Sequence, residues 1–329
     1  MPYTDIRGIE RSNMSTSQIA VLRQNIHGLS ADDYATALRD RLPDTEINVA
    51  RTPAEEADLL ESVPIATGFS LSEAQIERAK DLDLFACVYA GVGHLPLDTF
   101  EEHGIAVTNA SGVHGPNIAE YVIGAILSHV RGFNRARRQQ HNRVWQSYPA
   151  SELQGSTVTV VGLGAIGTAV VDRLEPFGVD TIGVRYTPEK GGPTDEIYGF
   201  DEIHDAFART DYLVLACPLT DETRELIDSD ALLTLPTESV LVNIARGGVV
   251  DTDALVSALQ ANRIGGATLD VTDPEPLPGE HPLWDFDNVS ITPHNAGHTP
   301  DYYERTAEIL AGNVDRYRDG DTDFENRVV

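Results

Sequence analysis

Ser156-Thr-Val-Thr-Val-Val-Gly-Leu-Gly-Ala-Ile-Gly-Thr-Ala-Val-Val171 decides the fold of this chain. Thr157 to Val161 is a β-branched run with the composition of a buried strand. Gly162-x-Gly164-x-x-Gly167 follows at once and opens an apolar helical pattern that continues through Leu174. Strand, glycines and helix in that order make three glycines a dinucleotide-binding fingerprint. Gly162 permits the tight turn, Gly164 lets backbone approach a pyrophosphate, and Gly167 lets helix and strand pack closely. The pyrophosphate would rest on unpaired N–H groups at a positive helix end, beside Leu163, Ala165 and Ile166.

Thr181-Ile-Gly-Val184 reads as the second strand of that domain. Where NAD-binding chains place an Asp or Glu to bond the ribose 2′-OH, this one has Arg185-Tyr186-Thr187. A carboxylate there would repel a 2′-phosphate, whereas a guanidinium can grip one in a fork. This predicts NADP(H) preferred over NAD(H); a solvated surface arginine is the plainer reading of the same residue.

At 329 residues the chain exceeds one comfortable core, and two domains are expected. Its two cysteines, Cys87 and Cys217, lie in apolar runs and imply no disulfide framework, which suits a reducing cytoplasm. No signal peptide is expected, and no apolar run approaches the roughly 18 residues that span a membrane. Net charge is −28, with 52 acidic against 24 basic residues, and Lys80 and Lys190 are the only lysines. That balance excludes a basic-patch partner such as nucleic acid. An apolar share of 41% with clear periodicity argues against disorder. The composition suits a salt-loaded, halophilic cytoplasm, where a Debye length of about 3 Å at molar salt screens self-repulsion. No metal site is expected.

Residues 1–108 alternate strand and helix signals, the pattern of a parallel α/β sheet. Ile19 to Ile26 reads as a strand ending in His27-Gly28, and Ile47 to Arg51 as another. Asp32 to Arg41, Glu55 to Leu60 and Ser72 to Lys80 read as helices, the last with Ser72 as N-cap. Val63 to Phe69 and Leu84 to Tyr89 read as strands, the second running into Ala90-Gly91-Val92-Gly93. Two glycines at a strand's C-terminal end expose N–H groups in a nest able to hold a carboxylate, although an ordinary tight turn has the same local sequence. Ile105 to Asn109 closes this domain. Ile118 to Val130 is apolar around most of its circumference and needs cover on more than one side, from its own domain or a second subunit; a homodimer is favoured. Arg131 to Arg143, with five arginines, reads as a solvated polar connector.

Beyond the fingerprint, four successive strand ends present Thr220/Thr223, Arg246, Asp270/Glu275 and His294. Ligands gather at strand C-termini in such sheets. Singly, each residue has a dull reading: a turn arginine, a loop acid, an interior histidine. Jointly they offer what reduction of a 2-keto acid requires. Arg246 is a planar cation for the carboxylate and can polarise the ketone. His294 is an acid in the right range for the carbonyl oxygen. Glu275 is a carboxylate able to favour the protonated imidazole.

Val158 to Leu174, the Cys217-Pro218-Leu-Thr-x-x-Thr223 turn and Val242-Asn-Ile244-Ala245-Arg246-Gly-Gly-Val-Val-Asp251 resemble the D-isomer-specific 2-hydroxyacid dehydrogenase family. So do Leu269-Asp270-Val-x-x-x-Glu275-Pro-Leu277 and Thr292-Pro-His294, within a likeness covering Ala90 to Thr299. The resemblance implies two Rossmann-like, flavodoxin-like parallel-sheet domains flanking an active-site cleft. It implies a substrate domain from 1–108 plus 299–329, a dinucleotide-binding domain over 109–298, and a dimer. Arg246, Glu275 and His294 then become catalytic, with Ala90 to Gly93 as the substrate-carboxylate loop. Cys217, Pro218, Thr223, Ile244, Ala245, Asp270, His294 and Gly297 join the fingerprint and Arg185 to Thr187 as cofactor contacts. Thr272 departs from the large apolar residue common in the family, which puts that loop's packing in doubt. Glu275, where formate-using relatives carry Gln, argues against formate. A glyoxylate/hydroxypyruvate reductase and a minimal phosphoglycerate dehydrogenase stay open. A cofactor-sensing interaction protein of the same fold is the reading from another class.

Overall fold

The computed structural model describes residues 18–329 except His27. The His27 turn and the N-terminal reading on signal peptides lie outside the described residues. The chain divides into two compact units, one containing the described residues up to Val113 together with Thr299–Val329, the other His114–His298.

The first unit holds β1 (Gln18–Val21), β4 (Glu46–Val49), β5 (Ile65–Gly68), β6 (Leu84–Cys87) and β7 (Ala106–Thr108) in a parallel sheet of order β4-β1-β5-β6-β7. Ile19 to Ile26 is not one strand. The chain leaves the sheet after Val21 and forms a small antiparallel hairpin from β2 (Asn25–Ile26) and β3 (Leu29–Ser30). Ser30 then caps the helix Ala31–Arg41 in a reciprocal box with Asp33. At the start of Glu73–Arg78 the Ser72 N–H and hydroxyl both donate to Gln75 Oε1, at 3.0 and 2.8 Å. The helix Tyr302–Arg318 buries Tyr302, Tyr303, Ala307, Leu310 and Val314 against the helix Ala31–Arg41, with Tyr303 stacked on Tyr34 at 4.8 Å. These apolar positions, spaced for one helix face, tie the C-terminal segment into this core. Residues 109–113, grouped by sequence with the second domain, place Ala110 and Val113 in this core too.

The second unit is a seven-stranded, wholly parallel sheet of β8 (Thr157–Val161), β9 (Asp180–Val184), β10 (Glu196–Tyr198), β11 (Tyr212–Leu215), β12 (Val240–Asn243), β13 (Gly266–Leu269) and β14 (Val289–Ile291). Its order is β10-β9-β8-β11-β12-β13-β14, doubly wound, with the fingerprint strand beside the point where strand order reverses. Both faces are covered, which is why its strands read as continuous apolar runs rather than alternating ones. Ile118, Val122 and Ile126 from the helix Gly115–Val130 pack with Val170 and Leu174 over one face. Leu232, Leu255 and Leu259 cover the other.

Candidate active site

The fingerprint folds as its glycines require. Gly162 sits at φ +97°, and a Cβ there would fall 2.7 Å from the Cys217 backbone. A Cβ on Gly167 would come within 1.9 Å of the Gly162 carbonyl, so helix Ala165–Leu174 reaches the strand only with glycine at that position. Gly164 faces open space at the helix N-terminus, room of the kind a pyrophosphate needs beside unpaired N–H groups. Leu163 is buried, and Ala165 is exposed beside Gly164. The Thr223 hydroxyl donates to the Pro218 carbonyl at 2.6 Å and accepts from the Thr220 N–H at 2.7 Å, which shapes the 218–223 turn after β11. Cys217 is buried beneath it, and burial pushes its thiol up to about 11, away from reactivity.

At the end of β9 the Arg185 N–H donates to the Tyr198 carbonyl at 3.1 Å, and its guanidinium donates to the Gly191 carbonyl. That anchor holds the half-buried side chain beside the Tyr186-Thr187 loop. Exposed Tyr186 stands next to it.

After β12, Asn243 braces the Arg246 segment: its amide donates to the Arg246 carbonyl at 3.1 Å and its oxygen accepts from the Ala245 N–H at 3.0 Å. Ile244 and Ala245 are buried, whereas the Arg246 side chain is exposed. After β14, His294 adopts φ +53°. Its Nδ1 lies 3.2 Å from Glu275 Oε2, with both side chains about half exposed. Thr272, the departure from family pattern, ties its hydroxyl to the Pro274 carbonyl at 2.9 Å, so the loop carrying Glu275 is held by a hydrogen bond in place of apolar packing. A cavity of about 590 Å³ beside the pair is lined by Glu275, His294, Trp284 and Leu277 among others.

Asp270 has a role that its sequence position did not disclose. It is 2% exposed, and its carboxylate accepts from Thr292 Oγ1 at 2.5 Å, Asn295 N at 2.8 Å and Ala296 N at 2.9 Å. It is the anchor of the His294 turn. In the first unit, the Ala90–Gly93 loop follows β6; the Ala90 carbonyl accepts from Asn109 Nδ2 at 2.7 Å, and Gly91 and Gly93 face open space. Phe69 and Tyr89, at the ends of β5 and β6, keep 42% and 37% of their surface exposed with ring centroids 5.1 Å apart.

Residues 123–296, more than half of the chain, match the family model described as "D-isomer specific 2-hydroxyacid dehydrogenase, NAD binding domain". The chain belongs to the D-isomer-specific 2-hydroxyacid dehydrogenase family. A glyoxylate reductase of Thermofilum pendens is 36% identical over 73% of this chain and 73% of its own length. The human glyoxylate reductase/hydroxypyruvate reductase is 34% identical over 71% of this chain and 73% of its own. Among solved structures, a D-isomer specific 2-hydroxyacid dehydrogenase from Xanthobacter autotrophicus Py2, in complex with NADPH and MES, superposes with a TM-score of 0.77 at 29% identity. That match covers 95% of this chain and 98% of the other.

Membership makes the protein an NAD(P)-dependent oxidoreductase acting on CH–OH groups, with the mixed α/β, parallel-sheet architecture of its family. No helix among the described residues is long and apolar enough to cross a membrane. Tyr302 and Tyr303 open the helix Tyr302–Arg318. The dehydrogenase buries both in the core of its first unit, 0% and 3% exposed.

Proposed function

We propose that this dehydrogenase reduces 2-oxo carboxylic acids to D-2-hydroxy acids and prefers NADPH to NADH. The observation that carries this reading is the Glu275–His294 pair at 3.2 Å on the strand-end rim of the fingerprint sheet, with Arg246 exposed at the end of β12. The nicotinamide cofactor, held by Gly162 to Gly167 and Arg185 to Thr187, supplies the hydride when bound. Arg246 grips the substrate carboxylate in its guanidinium fork and draws electron density from the ketone. His294 gives its proton to the carbonyl oxygen, so hydride on carbon and proton on oxygen together complete the alcohol. Glu275 Oε2, 3.2 Å from His294 Nδ1, holds the imidazole in place for that transfer. Support for NADPH comes from Arg185 at the end of β9 and from the NADPH bound in the Xanthobacter relative.

The test is turnover of 2-ketoisocaproate, pyruvate, glyoxylate and hydroxypyruvate in molar KCl with both cofactors. Turnover of at least one of the four, with a higher kcat/KM for NADPH than for NADH, is the expected result; turnover of none of the four would overturn the reading.

The active form is a homodimer located in the cytoplasm. Helix Phe133–His141 buries none of its residues and Trp145 beyond it is 103% exposed. This arginine-rich arm on a chain of net charge −28 suits the acidic surface of a second copy. Sedimentation in molar KCl should give dimers, and monomers for Trp145→Ser; a monomeric parent protein would remove the assignment.

A further inference from the structure

His294 occupies a left-handed backbone conformation, which a non-glycine residue holds only when its surroundings fix it. Its N–H donates to the Asp270 carbonyl at 2.8 Å, and the next two N–H groups donate to the Asp270 carboxylate. The third donor to that carboxylate is the Thr292 hydroxyl. Thr292 has one proton, and it points at the carboxylate, so a lone pair faces Tyr121 Oη at 2.6 Å. Tyr121 must therefore donate. The result is a directed chain, Tyr121 to Thr292 to Asp270, in which each bond polarises the next. Tyr121 lies on the helix Gly115–Val130, and Asn117 of the same helix donates to the Ala296 carbonyl at 2.7 Å. Helix and turn, 171 residues apart at the tyrosine contact, are thus pinned on both sides of His294. Burial pushes the Tyr121 phenol up to about 12, which keeps it a donor at working pH.

We propose that Tyr121 is a positioning residue for His294: through Thr292 and Asp270 its hydroxyl fixes the orientation from which the imidazole delivers its proton. This rests on His294 being the acid.

The test is a double-mutant cycle of Tyr121→Phe and His294→Gln, with kcat and KM for NADPH measured in molar KCl. Tyr121→Phe keeps the ring and loses one hydrogen bond, so kcat should fall roughly three- to tenfold with KM for NADPH unchanged. In the His294→Gln background the same change should have no further effect. Thr292→Ser, which keeps the relay, should retain parental kcat, and Thr292→Val should match Tyr121→Phe. Full kcat for Tyr121→Phe, or equal losses in both backgrounds, would overturn the proposal. A fully active His294→Gln would instead overturn the assignment of the acid.

Discussion

Replacing Arg185 should separate the two cofactors, by an amount that follows from its bonding. The guanidinium is anchored at one end on the Gly191 carbonyl and half-buried, with its other donors unused by the fold. Hydrogen bonds between charged partners contribute about 1.5–3 kcal/mol, a factor of about 10 to 150 in an equilibrium constant. Partial exposure and molar KCl both weaken a charge pair, so the lower end of that range applies. Arg185→Gln should therefore raise KM for NADPH about tenfold and leave KM for NADH within about twofold. Arg185→Asp should go further, because its carboxylate repels the 2′-phosphate. Initial rates against each cofactor at saturating 2-oxo acid measure both, and kcat with NADPH should hold because the phosphate does not take part in the chemistry. The lost Gly191 anchor is the competing explanation: a loosened loop would weaken both cofactors alike. Equal increases for NADPH and NADH would refute a direct grip on the phosphate.

Glu275→Gln removes the carboxylate 3.2 Å from His294 Nδ1, so kcat for reduction should fall about tenfold or more while KM for NADPH holds; parental kcat would show the pair is not used. His129, on the helix Gly115–Val130, is held below the ordinary histidine value of 6.5 by burial, with Nε2 3.1 Å from Thr268 Oγ1. The unfolded chain therefore takes up this proton more readily than the folded one, and the stability present above the unfolded value is lost as pH falls below it. Melting temperature in molar KCl should drop between about pH 7 and 5, and His129→Asn should flatten that limb; identical slopes would exclude His129. With a net charge of −28, the fold should also melt several degrees lower in dilute buffer than in molar KCl, and equal melting would remove the halophilic reading.

What the sequence disclosed and what it withheld divide along one physical line. Thr157 to Val161 and Val240 to Asn243 are legible because a strand buried on both faces must be apolar throughout. The turns after such strands all open on one edge of a parallel sheet, so Arg246, Glu275 and His294 could be assembled from residues far apart in the chain. β10 escaped notice because Glu196-Ile197-Tyr198 is an edge strand, half-buried, with Glu196 paired to Arg209 at 2.7 Å. Nothing in its composition distinguishes it from a loop. Tyr302 and Tyr303 are illegible for the opposite reason: aromatic rings suit a pocket or a core equally, and the stacking of Tyr303 on Tyr34 shows the core. Asp270 and Tyr121 were harder still. Each acts through side-chain hydrogen bonds to partners 22 and 171 residues away, and no local pattern marks such a partner. The candidate site residues are thus written into strand ends, whereas the bonds that shape the His294 turn depend on contacts that exist only once the sheet and the helix Gly115–Val130 have come together.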